Sequence, residues 1–232
     1  QEPERLVLAR QGCPVVIGLG DGENFVASDV AALLPVTRRF IFLEEGDVCE
    51  IRRESYRILD KDGNTIQRQV HESELSADAA EKGDFPHYML KEIHEQPRAV
   101  AQTLEERVAG GKLLEAAFGP AAQTVFARTE AVRIVACGTS YHAASVAKYF
   151  IEQICRLPCW VEIASEYRYR NPVVPKNTLF VSVSQSGETA DTLAALRMAK
   201  QAGYLSQLAI CNVPESSLVR ESDLVMLTRA GP

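Results

Sequence analysis

Hydrophobic and polar positions alternate along the first part of the chain, and this pattern predicts β structure. The apolar runs are short, and turns rich in Gly, Asp and Glu separate them. Gly63 follows Asp62 between two such runs and supplies the positive φ that a tight hairpin turn needs. An antiparallel meander is therefore expected. Its predicted strands are residues 15–17, 39–43, 48–53, 56–59 and 65–70.

The pattern changes after residue 71. Residues 72–85 are mostly small or acidic and contain few large apolar side chains, which is typical of an interdomain linker. Residues 88–96 and 98–108 are amphipathic with a helical period, and Pro97 between them fits the first turn of the second helix or a kink. The chain is thus divided into a β part (residues 1–71), a linker and a second domain from residue 86 to 232.

Strands and helices alternate in the second domain. This alternation predicts βαβ units, and hence an α/β fold with a mostly parallel, doubly wound sheet and helices on both faces. The predicted strands are residues 133–136, 160–163, 178–183, 207–211 and 224–227, and the predicted helices are residues 141–154 and 188–201.

Two strand-to-helix turns carry the candidate chemistry. The first is Cys-Gly-Thr-Ser at residues 137–140, and the second is Ser-Gln-Ser-Gly-Glu-Thr at residues 184–189. Ligands of an open parallel sheet bind at the carboxyl ends of its strands, where both turns lie. The N–H groups of a helix N-terminus attract anions, glycine permits close approach, and hydroxyls add neutral donors. The turns therefore predict a site for a phosphate or a polyhydroxyl compound.

Other interpretations of these residues remain open at this point. Ser and Thr are also common helix caps, and the carboxylates of Glu188 and Asp191 oppose an anion unless they point away. His142 is a weak candidate for acid–base work. Glycines at 18, 20 and 22 fit a simple turn better than a nucleotide loop. In residues 166–170 we expect the aromatic side chains to pack and the arginines to pair with carboxylates.

Composition narrows the class of protein. Apolar residues make up 46% and charged residues 24%, which excludes a disordered chain. The net charge of −6 makes a nucleic-acid partner improbable on electrostatic grounds, and no apolar run is long enough to span a membrane. The six cysteines form no CxxC pair and the four histidines do not complete a zinc motif. We therefore expect buried free thiols in a reducing cytoplasm, with no metal site.

Longer motifs resemble a known family. The chain resembles a sugar isomerase (SIS) domain and, more narrowly, the glutamine–fructose-6-phosphate aminotransferase family, and the resemblance covers essentially its whole length. The motifs of the SIS part are residues 136–141, 161–170, 184–192, 209–213 and 217–223. The first part resembles the end of the glutaminase domain of that family at residues 22–25, 27–29, 34–37 and 42–47.

The resemblance implies a fold and a set of site residues. Residues 1–71 would be an antiparallel β remnant of an Ntn-type (type 2) glutamine amidotransferase domain. Residues 86–232 would be a first SIS domain, truncated where the family continues into a second SIS half. Pro232 departs from the threonine that the family has at this position. The family's sugar-phosphate contacts correspond to Thr139, Ser140, Ser184, Gln185, Ser186 and Thr189. The residues that shape the two turns correspond to Cys137, Gly138 and Gly187.

The resemblance also implies an activity and partners. The family transfers ammonia from glutamine to fructose 6-phosphate and isomerises the product to glucosamine 6-phosphate, without a metal or nucleotide cofactor. Its glutaminase nucleophile is a cysteine at the mature amino terminus, whereas this chain begins with Gln1 and enters that domain near its end. The resemblance thus implies a middle fragment of the enzyme, in which no catalytic residue is expected. A cytoplasmic homodimer formed through SIS domains is expected. The alternatives are a non-catalytic phosphosugar-binding or regulatory SIS module and a simple phosphosugar isomerase, and residues 1–71 disfavour both.

Overall fold

The computed structural model describes residues 4–73, 83–105 and 107–231. The chain divides into two compact units, Gln1–Glu81 and Lys82–Pro232. Most of the predicted linker, residues 74–82, lies outside the described residues. The domain boundaries that the sequence suggests therefore stay a prediction.

The first unit consists of two antiparallel sheets, which confirms the predicted antiparallel β structure. The prediction of a single meander is wrong, because the consecutive strands at residues 39–43 and 48–53 belong to different sheets. One sheet has the strand order β1 (Leu6–Ala9), β5 (Val48–Ile51), β6 (Tyr56–Leu59) and β7 (Thr65–Ile66). The other has the order β3 (Asn24–Ala27), β2 (Val16–Leu19), β4 (Arg39–Phe42) and β8 (Val70–Glu72), with a 3-10 turn at Val30–Ala32. Strands β1 and β3 were not predicted from the sequence pattern.

The prediction of one strand over residues 65–70 is wrong. Its first residues form β7, which pairs with β6, whereas its last residue opens β8, which pairs with β4 in the other sheet. Arg68 lies between the two strands, and its guanidinium donates two hydrogen bonds, of 2.9 and 2.8 Å, to the buried carboxylate of Asp47. This ion pair holds the chain where it leaves one sheet for the other.

The second unit contains a five-stranded parallel sheet with helices on both faces, as predicted. Its strand order is β12 (Cys159–Ile163), β11 (Ala131–Ala136), β13 (Thr178–Ser184), β14 (Ser206–Cys211) and β15 (Leu224–Leu227). The chain thus runs from β11 to the edge strand β12. It then crosses to the other side of β11, where it adds β13, β14 and β15 in turn. The direction of winding changes between β11 and β13, which makes this the topological switch point.

The described residues of this unit form six helices. They are α1 (Tyr88–Glu105), α2 (Ala122–Arg128), α3 (Gly138–Phe150), α4 (Ala164–Tyr167), α5 (Ala190–Gln201) and α6 (Ser217–Glu221). Helices α4, α5 and α6 cover one face of the sheet around Phe180, and α2 and α3 cover the other around Leu179. A 3-10 turn (Glu115–Phe118) precedes α2, and a π-helical turn (Ile151–Cys155) follows α3. Alternate residues of the strands therefore face two separate apolar layers.

The alternative in which Pro97 begins a second helix is wrong. Helix α1 contains Pro97 within one continuous helix, and no described side chain of α1 is buried. The sequence pattern predicts a helical segment that ends at residue 108, whereas α1 ends at Glu105. Strand β9 (Val108–Ala109) instead pairs with β10 (Lys112–Leu113) across the positive-φ residues Gly110 and Gly111.

The expectation of buried free thiols is correct for only half of the cysteines. All are free, and Cys49, Cys159 and Cys211 are buried. Cys13 and Cys155 are exposed instead, because they lie in a surface bend and in the π-helical turn. Cys137 is partly exposed at the end of β11.

Candidate functional site

The two predicted turns lie side by side at the switch point. Strands β11 and β13 are paired in parallel, with Ala136 opposite Val183, so the loops that follow them leave the same edge of the sheet. We name residues 137–140 the first loop and residues 184–189 the second loop. Together they form a pocket of about 270 Å³. Its lining residues are Cys137, Gly138, Thr139, Ser140, Val183, Ser184, Gln185, Ser186, Thr189 and Thr192.

All six predicted contact residues line this pocket, and so do Cys137 and Gly138. Gly187 is part of the second loop but is not among the residues that line the pocket. Val183 and Thr192 were missed by the sequence reasoning. Thr192 follows Thr189 by three residues at the start of α5, and such a pair shares one helix face. That spacing was the signal that could have identified Thr192.

Hydrogen bonds within the second loop fix its shape. The Gly187 N–H donates to Ser184 Oγ at 3.0 Å, and the Glu188 N–H donates to Ser186 Oγ at 3.2 Å. The Thr189 hydroxyl lies 3.4 Å from Ser184 Oγ. Gly187 has a φ of +68°, which a residue with a side chain rarely adopts. The loop is therefore held in place before any ligand binds.

Two helices begin at the pocket, α3 after the first loop and α5 after the second. Cys137 and Thr189 occupy the cap positions, and among the described residues neither side chain accepts a hydrogen bond from the helix that it precedes. The alternative that these hydroxyls only cap helices is therefore not supported at Thr189. Free N–H groups and the positive ends of two helix dipoles converge on the pocket, and this arrangement attracts an anion.

The two carboxylates that opposed an anion are engaged elsewhere. Glu188 Oε1 accepts a hydrogen bond of 2.7 Å from the Ser217 N–H at the start of α6. Asp191 Oδ1 accepts one of 2.7 Å from Arg168 Nη1. None of the described lining residues is Asp, Glu, Lys, Arg or His. The pocket can therefore hold an anion or a polyol through neutral donors, but its lining offers no ordinary acid–base group.

The weaker candidates lie elsewhere. His142 is on α3 outside the pocket lining and contacts the Tyr141 ring. Gly18 is part of β2, where a Cβ would lie 2.8 Å from Thr37 Cγ2, so the glycine allows close packing beside a turn. In the 166–170 segment, Tyr167 is buried as expected and Arg170 pairs with Glu162 at 2.6 Å, but Tyr169 is exposed rather than packed.

The part of the chain that the structure describes contains neither a candidate metal centre nor a candidate membrane span. No group of three or more His, Cys, Asp and Glu side chains there could hold a metal ion. No described helix is both long enough and apolar enough to cross a bilayer.

Comparison with known families identifies this domain. Residues 126–232 match the model of the SIS domain family. This part of the chain is therefore similar to SIS domains. The match begins in α2 and includes both loops, the switch point and the whole parallel sheet, so the pocket lies within the matched residues. The predicted SIS-type fold is confirmed.

The similarity to named proteins extends beyond the SIS domain. The chain is 59% identical over 231 residues to glutamine–fructose-6-phosphate aminotransferase (isomerizing) of Pseudomonas aeruginosa, and 56% identical over 231 residues to that of Escherichia coli. Both matches cover 100% of this chain and 38% of the relative, so the chain spans well under half the length of these proteins. The homology predicted from the motifs is confirmed.

A solved structure supports the same relationship. The C-terminal domain of glucosamine-fructose-6-phosphate aminotransferase from Francisella tularensis is 54% identical, with a TM-score of 0.64. The match covers 66% of this chain and 43% of that one.

Proposed function

We propose that this chain functions as part of a glutamine–fructose-6-phosphate aminotransferase, and that its pocket binds the phosphate of fructose 6-phosphate or of the product glucosamine 6-phosphate. Homologues with this name match the chain over its whole length, at 56–60% identity for those compared. The SIS domain is consistent with a sugar-phosphate ligand.

One structural observation carries the proposal. The N-termini of α3 and α5 meet at a pocket that is lined by hydroxyl groups, and its described lining contains no carboxylate. A phosphate there would accept hydrogen bonds from N–H groups at the starts of α3 and α5 and from the hydroxyls of Ser184, Ser186 and Thr189. Thr139 and Ser140, across the pocket, would hold the sugar end or the remaining phosphate oxygen. Two helix dipoles supply the electrostatic attraction that a Lys or Arg would otherwise provide.

The proposal assigns binding and orientation to this pocket, and not proton transfer. Amination and isomerisation of a ketose require groups that take and give protons near neutral pH. The pocket lining contains no His, Asp, Glu or Lys within the described residues. The glutamine-hydrolysing and proton-transferring groups are therefore assigned to other parts of the enzyme. Glutamine as ammonia donor, a homodimer formed through SIS domains and a cytoplasmic location complete the proposal.

Isothermal titration of the purified chain with fructose 6-phosphate tests the site. The variant Ser184→Ala/Thr189→Ala removes two pocket hydroxyls. The matched control Ser145→Ala/Thr129→Ala also removes two hydroxyls, and neither lines the pocket. In the structure these hydroxyls donate to the carbonyls of Tyr141 and Val125, one helical turn earlier. We expect the first variant to lose at least tenfold in affinity, the amount for about 1.4 kcal/mol, and the control to bind like wild type. Equal binding by all three proteins, or no binding by the folded wild type, would contradict the site.

A second experiment separates the enzyme from a regulatory phosphosugar module. The longer protein that carries this chain would be assayed for glucosamine 6-phosphate formed from glutamine and fructose 6-phosphate. We expect turnover that the Ser184→Ala/Thr189→Ala variant reduces mainly through a higher KM. Sugar-phosphate binding without any product would instead support the regulatory module.

A further inference from the structure

An ion pair lies beside the proposed phosphate pocket. Asp191 is in the first turn of α5, between Ala190 and the lining residue Thr192. Its carboxylate accepts a hydrogen bond of 2.7 Å from Arg168, which follows α4 in the chain. The Arg168 guanidinium also stacks over the Tyr169 ring at 4.9 Å. Asp191 therefore points toward α4 and is absent from the pocket lining.

The position of Asp191 creates an electrostatic problem for an anion site. A carboxylate in the first turn of a helix interacts favourably with the helix dipole, so it competes with a bound anion for the same field. A sugar phosphate carries a charge of about −1.5 to −2 at neutral pH, which an unpaired carboxylate one helical turn away repels. A cation bound to Asp191 cancels most of this repulsion.

We propose that Arg168 is a positioning residue of the phosphate site, which holds the Asp191 carboxylate against α4 and neutralises it so that the N-terminus of α5 remains available to the phosphate. This inference rests on the proposed function, since it requires phosphate in the pocket. It goes beyond that function because it makes affinity depend on a pair that does not contact the ligand. The Tyr169 ring is mostly exposed, but its contact with the Arg168 guanidinium limits the directions in which that guanidinium can turn.

Four proteins with three net charges at this pair test the proposal. They are the wild type, Arg168→Gln, Asp191→Asn and the double variant, each titrated with fructose 6-phosphate at low ionic strength. We expect Arg168→Gln to weaken binding about three- to tenfold, because it leaves one negative charge at the helix start. Asp191→Asn should bind at least as tightly as wild type. The double variant, with no net charge at the pair, should return to near wild-type affinity.

This pattern distinguishes electrostatic balance from a structural role. A merely structural Arg168 predicts that the double variant stays as weak as Arg168→Gln, and that result would overturn the proposal. The variant Arg168→Lys keeps the charge and should bind within about twofold of wild type. The difference between Arg168→Gln and wild type should also shrink at 0.5 M salt, where charges are screened over a few ångströms.

The outcomes also separate this inference from the proposed site. If wild type binds and Arg168→Gln binds equally well, the inference is wrong while the phosphate site stands. If the folded wild type does not bind, both are wrong. Thermal unfolding of each variant shows whether a loss of binding reflects a loss of fold.

Discussion

Gly187 lies directly against Ser216. A Cβ built on Gly187 would lie 2.2 Å from Ser216 Oγ and 2.7 Å from Cys211 Sγ. Ser216 caps α6, and its Oγ accepts a hydrogen bond from the Val219 N–H. The Gly187 carbonyl in turn accepts one of 3.1 Å from the Leu218 N–H. The second loop and the start of α6 are therefore packed as one unit, with no room for a side chain at the glycine.

The first prediction is that Gly187→Ala destabilises the second unit and removes sugar-phosphate binding. The positive φ costs about 1 kcal/mol and the overlap with Ser216 about 1–3 kcal/mol. The total loss in the free energy of unfolding should thus be about 2–4 kcal/mol. Urea unfolding followed by the fluorescence of Trp160, the single tryptophan of the chain, measures it in this unit.

Gly203→Ala is the matched control. Gly203 has a φ of +83°, and nothing lies within 4 Å of a Cβ built there. This variant should therefore lose only the backbone term of about 1 kcal/mol, and its pocket should bind normally. An equal loss in both variants would show that the contact with Ser216 carries no energy.

The second prediction concerns the hydroxyl of Ser184. This side chain is buried and accepts the hydrogen bond of the Gly187 N–H. Ser184→Ala leaves that buried N–H without its acceptor, at a cost of about 1–3 kcal/mol. Amide hydrogen exchange at Gly187 should accelerate. Ser186→Ala is a control in the same loop, and there amide exchange should accelerate at Glu188 and not at Gly187. Acceleration at both amides in either variant would show that the two serines do not hold separate N–H groups.

Much of the α/β unit could be predicted because its signals are local. Each strand is an apolar run, each loop follows a strand, and the carboxyl ends of parallel strands must share one edge. That geometry brought Thr139, Ser140 and Ser184 into one pocket. The sequence alone also placed the turn at Asp60, whose carboxylate accepts backbone hydrogen bonds from Asp62 and Asn64.

The features that were missed depend on contacts between distant residues. The break between β7 and β8 depends on the pairing of Arg68 with Asp47, 21 positions earlier. The direction of the Asp191 carboxylate depends on Arg168, 23 positions earlier. No local pattern encodes either partner. Apolar periodicity likewise does not distinguish a helix that continues through Pro97 from one that begins there. No described side chain of α1 is buried.

The third prediction concerns a buried tyrosine pair. The Tyr167 hydroxyl donates to the Tyr204 hydroxyl at 3.0 Å, and both rings pack against Phe180. Burial raises the pKa of both hydroxyls. Tyr167→Phe should cost about 1–3 kcal/mol, because the Tyr204 hydroxyl loses this partner in an apolar layer. The double variant Tyr167→Phe/Tyr204→Phe should cost less than the sum of the two single changes, and additive costs would contradict coupling.

The fourth prediction starts from two buried thiols, one in each unit. Burial raises the pKa of Cys49 from its ordinary value of 9.0 to about 11. Burial raises the pKa of Cys159, beside Trp160 in β12, to the same value of about 11. Because the folded-state pKa is raised, each neutral thiol contributes its full stability below pH 9. That contribution is lost as the pH rises from 9 through 11, where the unfolded chain ionises first.

The second unit should therefore lose stability in alkaline solution through Cys159. At pH 10 the free energy of unfolding should be lower by about 1 kcal/mol than at pH 8, since about one unit of the pKa difference is then realised. Urea unfolding of the reduced protein, followed by Trp160 fluorescence at both pH values, measures this drop in the free energy of unfolding. In Cys159→Ala the part of the drop that Cys159 causes should vanish. The exposed Cys155 is the control, and Cys155→Ala should keep the wild-type pH dependence. An identical pH dependence in wild type and Cys159→Ala would mean that the thiol ionises as easily in the folded sheet as in the unfolded chain.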